Sequence, residues 1–105
     1  MDLLELSLIA KNTAKKAGTF LQTQKSEKKI IESEKGRDIK LELDRQTEEL
    51  IRKELSETKI QVHGEEISSK IDEKLRWVVD PIDGTANYFR GLNQCCVSIA
   101  LMEEN

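Results

Sequence analysis

Apolar residues in the first quarter of the chain recur at every third or fourth position. The positions are Leu3, Leu6, Ala10, Ala14, Ala17 and Leu21. Because an α-helix turns once in about 3.6 residues, this spacing puts them on one face. The pattern predicts a long amphipathic helix from Asp2 to about Gln24.

A second helical pattern runs from about Leu43 to Ser56. Its apolar-face positions are Leu43, Thr47, Leu50, Ile51 and Leu55. Glu42 and Asp44 lie at its start, where acidic side chains suit the positive end of a helix. Residues 24–36, which separate the two helices, are mostly polar, and we predict a connector with one short strand before a turn at Gly36.

Strand patterns dominate the remaining chain. Alternating or β-prone segments cover Ile60–Val62, Leu75–Val79 and Cys96–Met102. Two helices followed by strands predict an α+β fold, with two long helices packed on an antiparallel sheet. Two principal strands rarely bury a common face by themselves. We therefore expect residues 1–105 to be an incomplete α+β portion of a larger domain, or to complete the sheet with another chain.

Composition narrows the class of protein. Charged residues make up 35% of the chain, and 17 Lys and Arg against 20 Asp and Glu give a net charge of -3. This balance argues against binding to a nucleic-acid polymer. The acidic start and the lack of about 20 consecutive apolar residues argue against a secretory signal and a membrane span. We expect a cytoplasmic protein.

Candidate chemistry is concentrated directly after the strand Leu75–Val79. Asp80 and Asp83 flank a turn begun by Pro81, and Gly84 permits close approach of a ligand to the backbone. Residues 85–89 can begin a helical turn whose amides face an anion. The same residues are also typical of an ordinary tight turn, in which Pro81 takes the second position and Gly84 closes the turn.

Other acidic residues strengthen the chemical interpretation. Glu65 and Glu66 follow the strand Ile60–Val62. Carboxylates gathered at one point repel one another, by about 4 kcal/mol per pair at 4 Å near a surface. If Asp44, Glu65, Asp80 and Asp83 converge, a divalent cation is required, and oxygen ligands favour Mg²⁺ over Zn²⁺.

Three motifs carry a resemblance to a known family. The run from Trp77 to Tyr88 resembles the Asp-Pro-Ile-Asp-Gly-Thr signature of the inositol monophosphatase family, which comprises lithium-sensitive, Mg²⁺-dependent phosphomonoesterases. Gly64-Glu65-Glu66 is similar to the family's Gly-Glu-Glu element. The segment from Asp38 to Asp44 is similar to the family segment that brings a further aspartate to the site. The motifs occur in the family's order and span nearly the whole chain.

The resemblance implies a metal-ligand set. Glu65 is then a ligand of the first metal, Asp80 is shared by two metals, and the Ile82 carbonyl binds the first. Asp83 binds the second metal, and Glu66 is a secondary group close by.

The resemblance also implies catalytic and substrate-binding residues. The Gly84 and Thr85 amides bind the phosphate, and the Thr85 hydroxyl, supported by Asp44 and Glu65, orients the attacking water. Leu41 departs from the family pattern, which commonly has Thr there. Another metal-binding aspartate and most of the substrate pocket belong to a later segment of the family, which this sequence does not contain.

The implied function is Mg²⁺-dependent hydrolysis of a phosphate monoester, such as an inositol, sugar or nucleotide phosphate, to an alcohol and inorganic phosphate. Family members generally form homodimers. Two alternatives from another class remain, namely a non-catalytic fragment that binds metal or phosphate, and an interaction module that pairs its exposed sheet edge with a partner. A third is a gene fragment with little function of its own.

Overall fold

The computed structural model describes residues 1–24, 31–35, 38–64, 74–91 and 95–103. The helices are α1 (Leu3–Thr23), α2 (Glu42–Leu55) and α3 (Thr85–Phe89), and a short 3-10 turn covers Ser56–Thr58. The strands are β1 (Ile31–Lys35), β2 (Asp38–Leu41), β3 (Gln61–Gly64), β4 (Leu75–Asp83) and β5 (Cys96–Glu103).

Both predicted long helices are present. Asp2 caps α1 by accepting a hydrogen bond from the Glu5 amide at 2.9 Å. The apolar face of α1 begins at Leu6, however, because Leu3 is 76% exposed at a surface groove. The predicted helix is thus present, and its buried residues begin at Leu6 rather than at Leu3. Among the described helices, none has both the length and the apolar character that crossing a bilayer requires.

The strands form two sheets. β1 and β2 pair antiparallel. β1 is the one short strand predicted within residues 24–36, β2 follows that range and was not predicted, and the predicted turn at Gly36 lies outside the described residues. The other sheet has the order β3-β4-β5. The predicted α+β class is confirmed, with a mixed sheet, because β3 runs parallel to β4 while β5 runs antiparallel to it. Alternation along a strand predicts its faces and not the direction of its neighbours.

Both long helices pack on one face of this sheet. A first core cluster joins the helices to the sheet through Leu6, Ala17, Ile51, Leu55, Val62, Trp77 and Val79. A second cluster, Leu21, Leu41, Leu43, Ile82 and Tyr88, lies where β4 ends and α2 begins. This second cluster includes direct chain neighbours of the candidate site residues, since Ile82 precedes Asp83 and Leu43 precedes Asp44.

Candidate active site at the end of β4

The last residues of β4 carry the two signature aspartates. The sequence predicts that the strand runs from Leu75 through Val79 to end at Asp80, and that a tight turn begins at Pro81. Instead, β4 continues to Asp83, which pairs with Cys96, and a bulge separates this pair from the Asp80–Ser98 pair. A bulge lets a strand keep its partner while side chains change direction. Asp80 is consequently half-buried and Asp83 exposed, while Ile82 is buried in the second core cluster.

The turn occurs at Gly84. Its φ of 92° and ψ of 41° are left-handed, a conformation in which a residue with a β-carbon is strained. From there the chain enters α3, and the Tyr88 amide donates to the Gly84 carbonyl at 3.0 Å. Gly84 thereby places Thr85 immediately beyond the end of the strand.

The Thr85 hydroxyl connects β4 to α2. It lies 3.0 Å from Asp44 Oδ1 and 2.9 Å from the Ile82 carbonyl oxygen, both acceptors. Asp44 is only 2% exposed, although it belongs to the first turn of α2. Thr85 and Asp44, which the sequence assigns to one catalytic group, are therefore in direct contact, while their catalytic roles stay predictions.

A second donor to Asp44 was missed by sequence reasoning. The Leu41 backbone amide donates to Asp44 Oδ2 at 2.8 Å. Leu41 precedes α2 and has no side-chain hydrogen bond, so the backbone supplies the contact at this departure from the family pattern. An acidic residue three positions after a helix start was the available signal, because it forms half of a capping box.

Negative charge accumulates beside Asp83. The Cys96 Sγ donates a weak hydrogen bond to Asp83 Oδ2 at 3.9 Å. Desolvation raises the pKa of the Cys96 thiol although the residue is exposed, and the charges of Asp83 and Asp80 raise this pKa further. Asp80 and Asp83, three positions apart at the end of β4, form a negative patch that favours a cation.

The oxygen donors of this patch are of the kind that a hard divalent cation prefers. The two carboxylates and the Ile82 carbonyl provide oxygen ligands, and Mg²⁺ commonly takes one or two protein carboxylates and completes its shell with water and phosphate oxygens. Within the described ranges, no three His, Cys, Asp or Glu side chains form a complete metal-binding group. The predicted ligand Glu65 and its neighbour Glu66 lie outside the described residues. The donors present fit a hard divalent cation whose remaining ligands are other oxygen atoms.

Comparison with known proteins places this geometry in a family. The model of the inositol monophosphatase family matches residues 2–105. A histidinol-phosphatase from Streptomyces coelicolor is 50% identical over 64 residues, which are 59% of this chain and 24% of that protein. Inositol monophosphatase 1 from Solanum lycopersicum is 32% identical over 100 residues, covering 89% of this chain and 37% of the relative.

A solved structure agrees with the sequence relatives. The crystal structure of the extragenic suppressor protein suhB from Bartonella henselae matches with a TM-score of 0.87 at 31% identity, over 94% of this chain and 41% of that chain. This chain therefore spans 24% to 41% of the length of these relatives. The family match, by contrast, covers almost every residue of the chain. The chain belongs to the inositol monophosphatase family.

Proposed function

We propose that this chain contributes the first part of the site of a Mg²⁺-dependent phosphomonoesterase, which converts a phosphate monoester and water to an alcohol and inorganic phosphate. The observation that carries the proposal is the contact of the Thr85 hydroxyl with Asp44, two positions after the end of the strand that carries Asp80 and Asp83. Family membership supports the reaction class, because relatives of this chain include a histidinol-phosphatase and an inositol monophosphatase.

In this proposal the metal is held by Asp80, Asp83 and the Ile82 carbonyl, with Glu65 as a further ligand and Glu66 nearby. When bound, Mg²⁺ lowers the pKa of a coordinated water and offsets phosphate charge. Asp80 is half-buried, whereas Asp83 is exposed to solvent. A substrate phosphate can therefore reach the patch from the side of Asp83.

Thr85 and Asp44 have a defined task in the proposal. A threonine hydroxyl has one proton, so when it donates to Asp44 Oδ1 its lone pairs remain for a hydrogen bond from water. Asp44 is held in place by the Leu41 amide, which leaves the hydroxyl little freedom to rotate. Thr85 then orients the water towards phosphorus, with Glu65 as a second support, and the Gly84 and Thr85 amides bind the phosphate oxygens.

A second candidate function is a binding module without turnover. The favouring observation is that β5 is an edge strand of the described sheet, and an edge can pair with another strand.

Phosphate release and calorimetry separate the two functions. The 105-residue chain is incubated in Mg²⁺ with inositol 1-phosphate, histidinol phosphate or adenosine 3',5'-bisphosphate, with and without lithium, and is titrated with Mg²⁺ and inorganic phosphate. Turnover that lithium inhibits supports the phosphatase, and binding without turnover supports the module.

A charge-matched pair of variants controls the titration. Asp80→Asn removes the proposed shared ligand, and we expect Mg²⁺ affinity to fall by roughly tenfold or more with little change in folding. Glu103→Gln, an exposed residue at the last position of β5, should bind as the unmodified chain does. Equal Mg²⁺ affinity of Asp80→Asn and Glu103→Gln would contradict the assignment, and absence of both binding and turnover would overturn both functions.

A further inference from the structure

A buried carboxylate of α2 lies against the end of β3. Glu48 has no exposed surface, although its neighbour Glu49 on the same helix is exposed. A β-carbon placed on Gly64 would lie 2.7 Å from Glu48 Oε2 and closer still to the rest of the carboxylate, so the end of the Glu48 side chain would have to shift to admit it. The Glu48 carboxylate thus occupies the space that a side chain at position 64 would need.

The burial of Glu48 is not explained by stability alone. Arg52 Nε donates to Glu48 Oε2 at 3.1 Å, and the Arg52 side chain is 24% exposed against 0% for Glu48. Withdrawing a carboxylate from water costs several kcal/mol even with a partner, and apolar residues of similar volume often replace such a pair without loss. Because burying the Glu48 carboxylate is unfavourable, we expect its position in the fold to serve a specific structural task.

The position of Gly64 indicates that task. Gly64 is the last residue of β3 and pairs with Val79, the residue directly before Asp80. Glu48 lies one helical turn after Asp44 on α2. The contact between Glu48 and Gly64 therefore joins the helix that carries Asp44 to the strand pair that carries Asp80.

We propose that Glu48 is a positioning residue, which sets the distance between Asp44 on α2 and Asp80 on β4 by packing its carboxylate on Gly64. The inference rests on the proposed function, because its consequence is a correctly spaced metal site. Glu48 itself does not touch the reacting atoms. It acts through Gly64, the residue that precedes Glu65 in the chain.

The test compares Glu48→Ala, Glu48→Gln and the exposed control Glu49→Ala. Mg²⁺ affinity is measured by calorimetry well below the unfolding temperature of each variant. We expect Glu48→Ala to weaken Mg²⁺ binding roughly tenfold, as loss of a group that supports a metal ligand does. Glu48→Gln, which keeps the size of the side chain and one oxygen acceptor, should recover part of the affinity, and Glu49→Ala should change nothing.

A readout without metal separates this inference from the proposed function. In Mg²⁺-free protein, the NMR amide signals of Gly64 and Leu41 report the end of β3 and the Asp44 carboxylate respectively. Glu48→Ala and Glu48→Gln should shift both signals, and Glu49→Ala neither. If the unmodified chain binds no Mg²⁺ but both signals shift, the proposed function fails and the positioning role stands.

Two results would overturn the inference. The first is unchanged Gly64 and Leu41 signals in both Glu48 variants, which would show that Glu48 does not set this spacing. The second is Mg²⁺ affinity in both Glu48 variants equal to that of an unmodified chain that binds the ion, whatever happens to thermal stability. Glu48→Gln decides the matter if Glu48→Ala does not fold, because it fills the same space.

A glycine pair tests the contact from its other side. Gly64→Ala places a methyl group on the Glu48 carboxylate and should reduce both stability and Mg²⁺ affinity. Gly18→Ala is the matched control, since a β-carbon at Gly18 meets nothing within 4 Å and alanine favours a helix. A Gly64→Ala chain as stable as the unmodified one, with unchanged amide signals at Leu41, would contradict the proposed contact.

Discussion

Threonine hydroxyls hold β4 to its surroundings both near its start and just past its end, and their partners differ. Thr58 Oγ1 donates to the Leu55 carbonyl at 2.7 Å and accepts from Trp77 Nε1 at 3.0 Å. Thr85 Oγ1 instead faces two acceptors, Asp44 Oδ1 and the Ile82 carbonyl oxygen. The first hydroxyl satisfies an aromatic ring in the core, and the second is shared between a buried carboxylate and a carbonyl.

The two hydroxyls therefore differ in purpose: the contact near the start of β4 serves the stability of the core, and the contact just past its end serves the candidate site. At the start of β4, the polar bond lets Trp77 bury nearly its whole surface, at 2% exposure. Just past the end, the polar bonds fix the oxygen atoms of Thr85, Asp44 and Ile82 relative to one another. Substitutions at the start should therefore act on folding, and substitutions at the end should act on a smaller stability term together with the site.

Truncation of Trp77 should have the largest effect on stability. Trp77→Ala leaves a cavity in the first core cluster, and we expect the free energy of unfolding to fall by about 3–5 kcal/mol. Urea denaturation followed by circular dichroism measures this, because Trp77 is the single tryptophan and its fluorescence is lost. Leu75→Ala, at a side chain 38% exposed on the same strand, should cost less than about 1 kcal/mol. An equal loss in the free energy of unfolding for Trp77→Ala and Leu75→Ala would contradict the view that Trp77 holds the core at the start of β4.

Loss of the Thr85 hydroxyl should have the next largest effect. Thr85→Val leaves the buried Asp44 carboxylate without one of its donors, and hydrogen bonds to charged groups contribute about 1.5–3 kcal/mol. Thr85→Ser keeps the hydroxyl and should stay within about 1 kcal/mol of the unmodified chain. Denaturant unfolding of both variants tests this, and a Thr85→Val chain as stable as Thr85→Ser would show that the contact with Asp44 is not formed in solution.

Loss of the Thr58 hydroxyl should cost less. Thr58→Val removes the acceptor of the Trp77 indole, a bond between uncharged groups, and we expect a loss of about 1 kcal/mol. Trp77 fluorescence during urea unfolding gives the measurement, with Thr58→Ser as the control that retains the acceptor. A loss larger than that of Thr85→Val would reverse the comparison between the two hydroxyls.

The smallest effect concerns pH and Tyr88. Burial raises the pKa of the Tyr88 hydroxyl above its usual 10.0, and the nearby Cys95 raises it further. The neutral hydroxyl donates to the Leu21 carbonyl at 2.7 Å. Because the folded-state pKa is the higher one, this stabilisation is fully present below the unfolded pKa near 10 and is lost as pH rises through the folded pKa.

The Tyr88 effect can be read from a single residue. Absorbance of tyrosinate reports Tyr88 alone, since it is the only tyrosine, and its titration midpoint should lie above that of the urea-unfolded chain. The stability difference between the unmodified chain and Tyr88→Phe should shrink as pH rises past 10. A midpoint equal in the folded and unfolded chains would contradict the burial of this hydroxyl.

Local patterns in the sequence predicted much of this fold. The spacing of Leu6, Ala17 and Leu21 predicted α1, because neighbours on a helix face are three or four residues apart. The succession Asp80, Asp83, Gly84 and Thr85 indicated the candidate site, because these four residues come from one short stretch of chain. The exposure of Leu3 was not predictable in this way, because periodicity gives the face of the helix but not how closely that face packs on other elements.

The sequence alone determined which residues are available for chemistry, namely oxygen donors at the end of an apolar strand and an acidic helix start. The family resemblance implied that Asp44 supports Thr85, which is 41 positions away in the chain. Only the tertiary structure decided that the two side chains are in direct contact, that β3 runs parallel to β4, and that Glu48 fills the space beside Gly64. The reason is physical: periodicity and turn preferences act over a few residues, whereas contacts between distant segments are selected by how the helices and the sheet pack together.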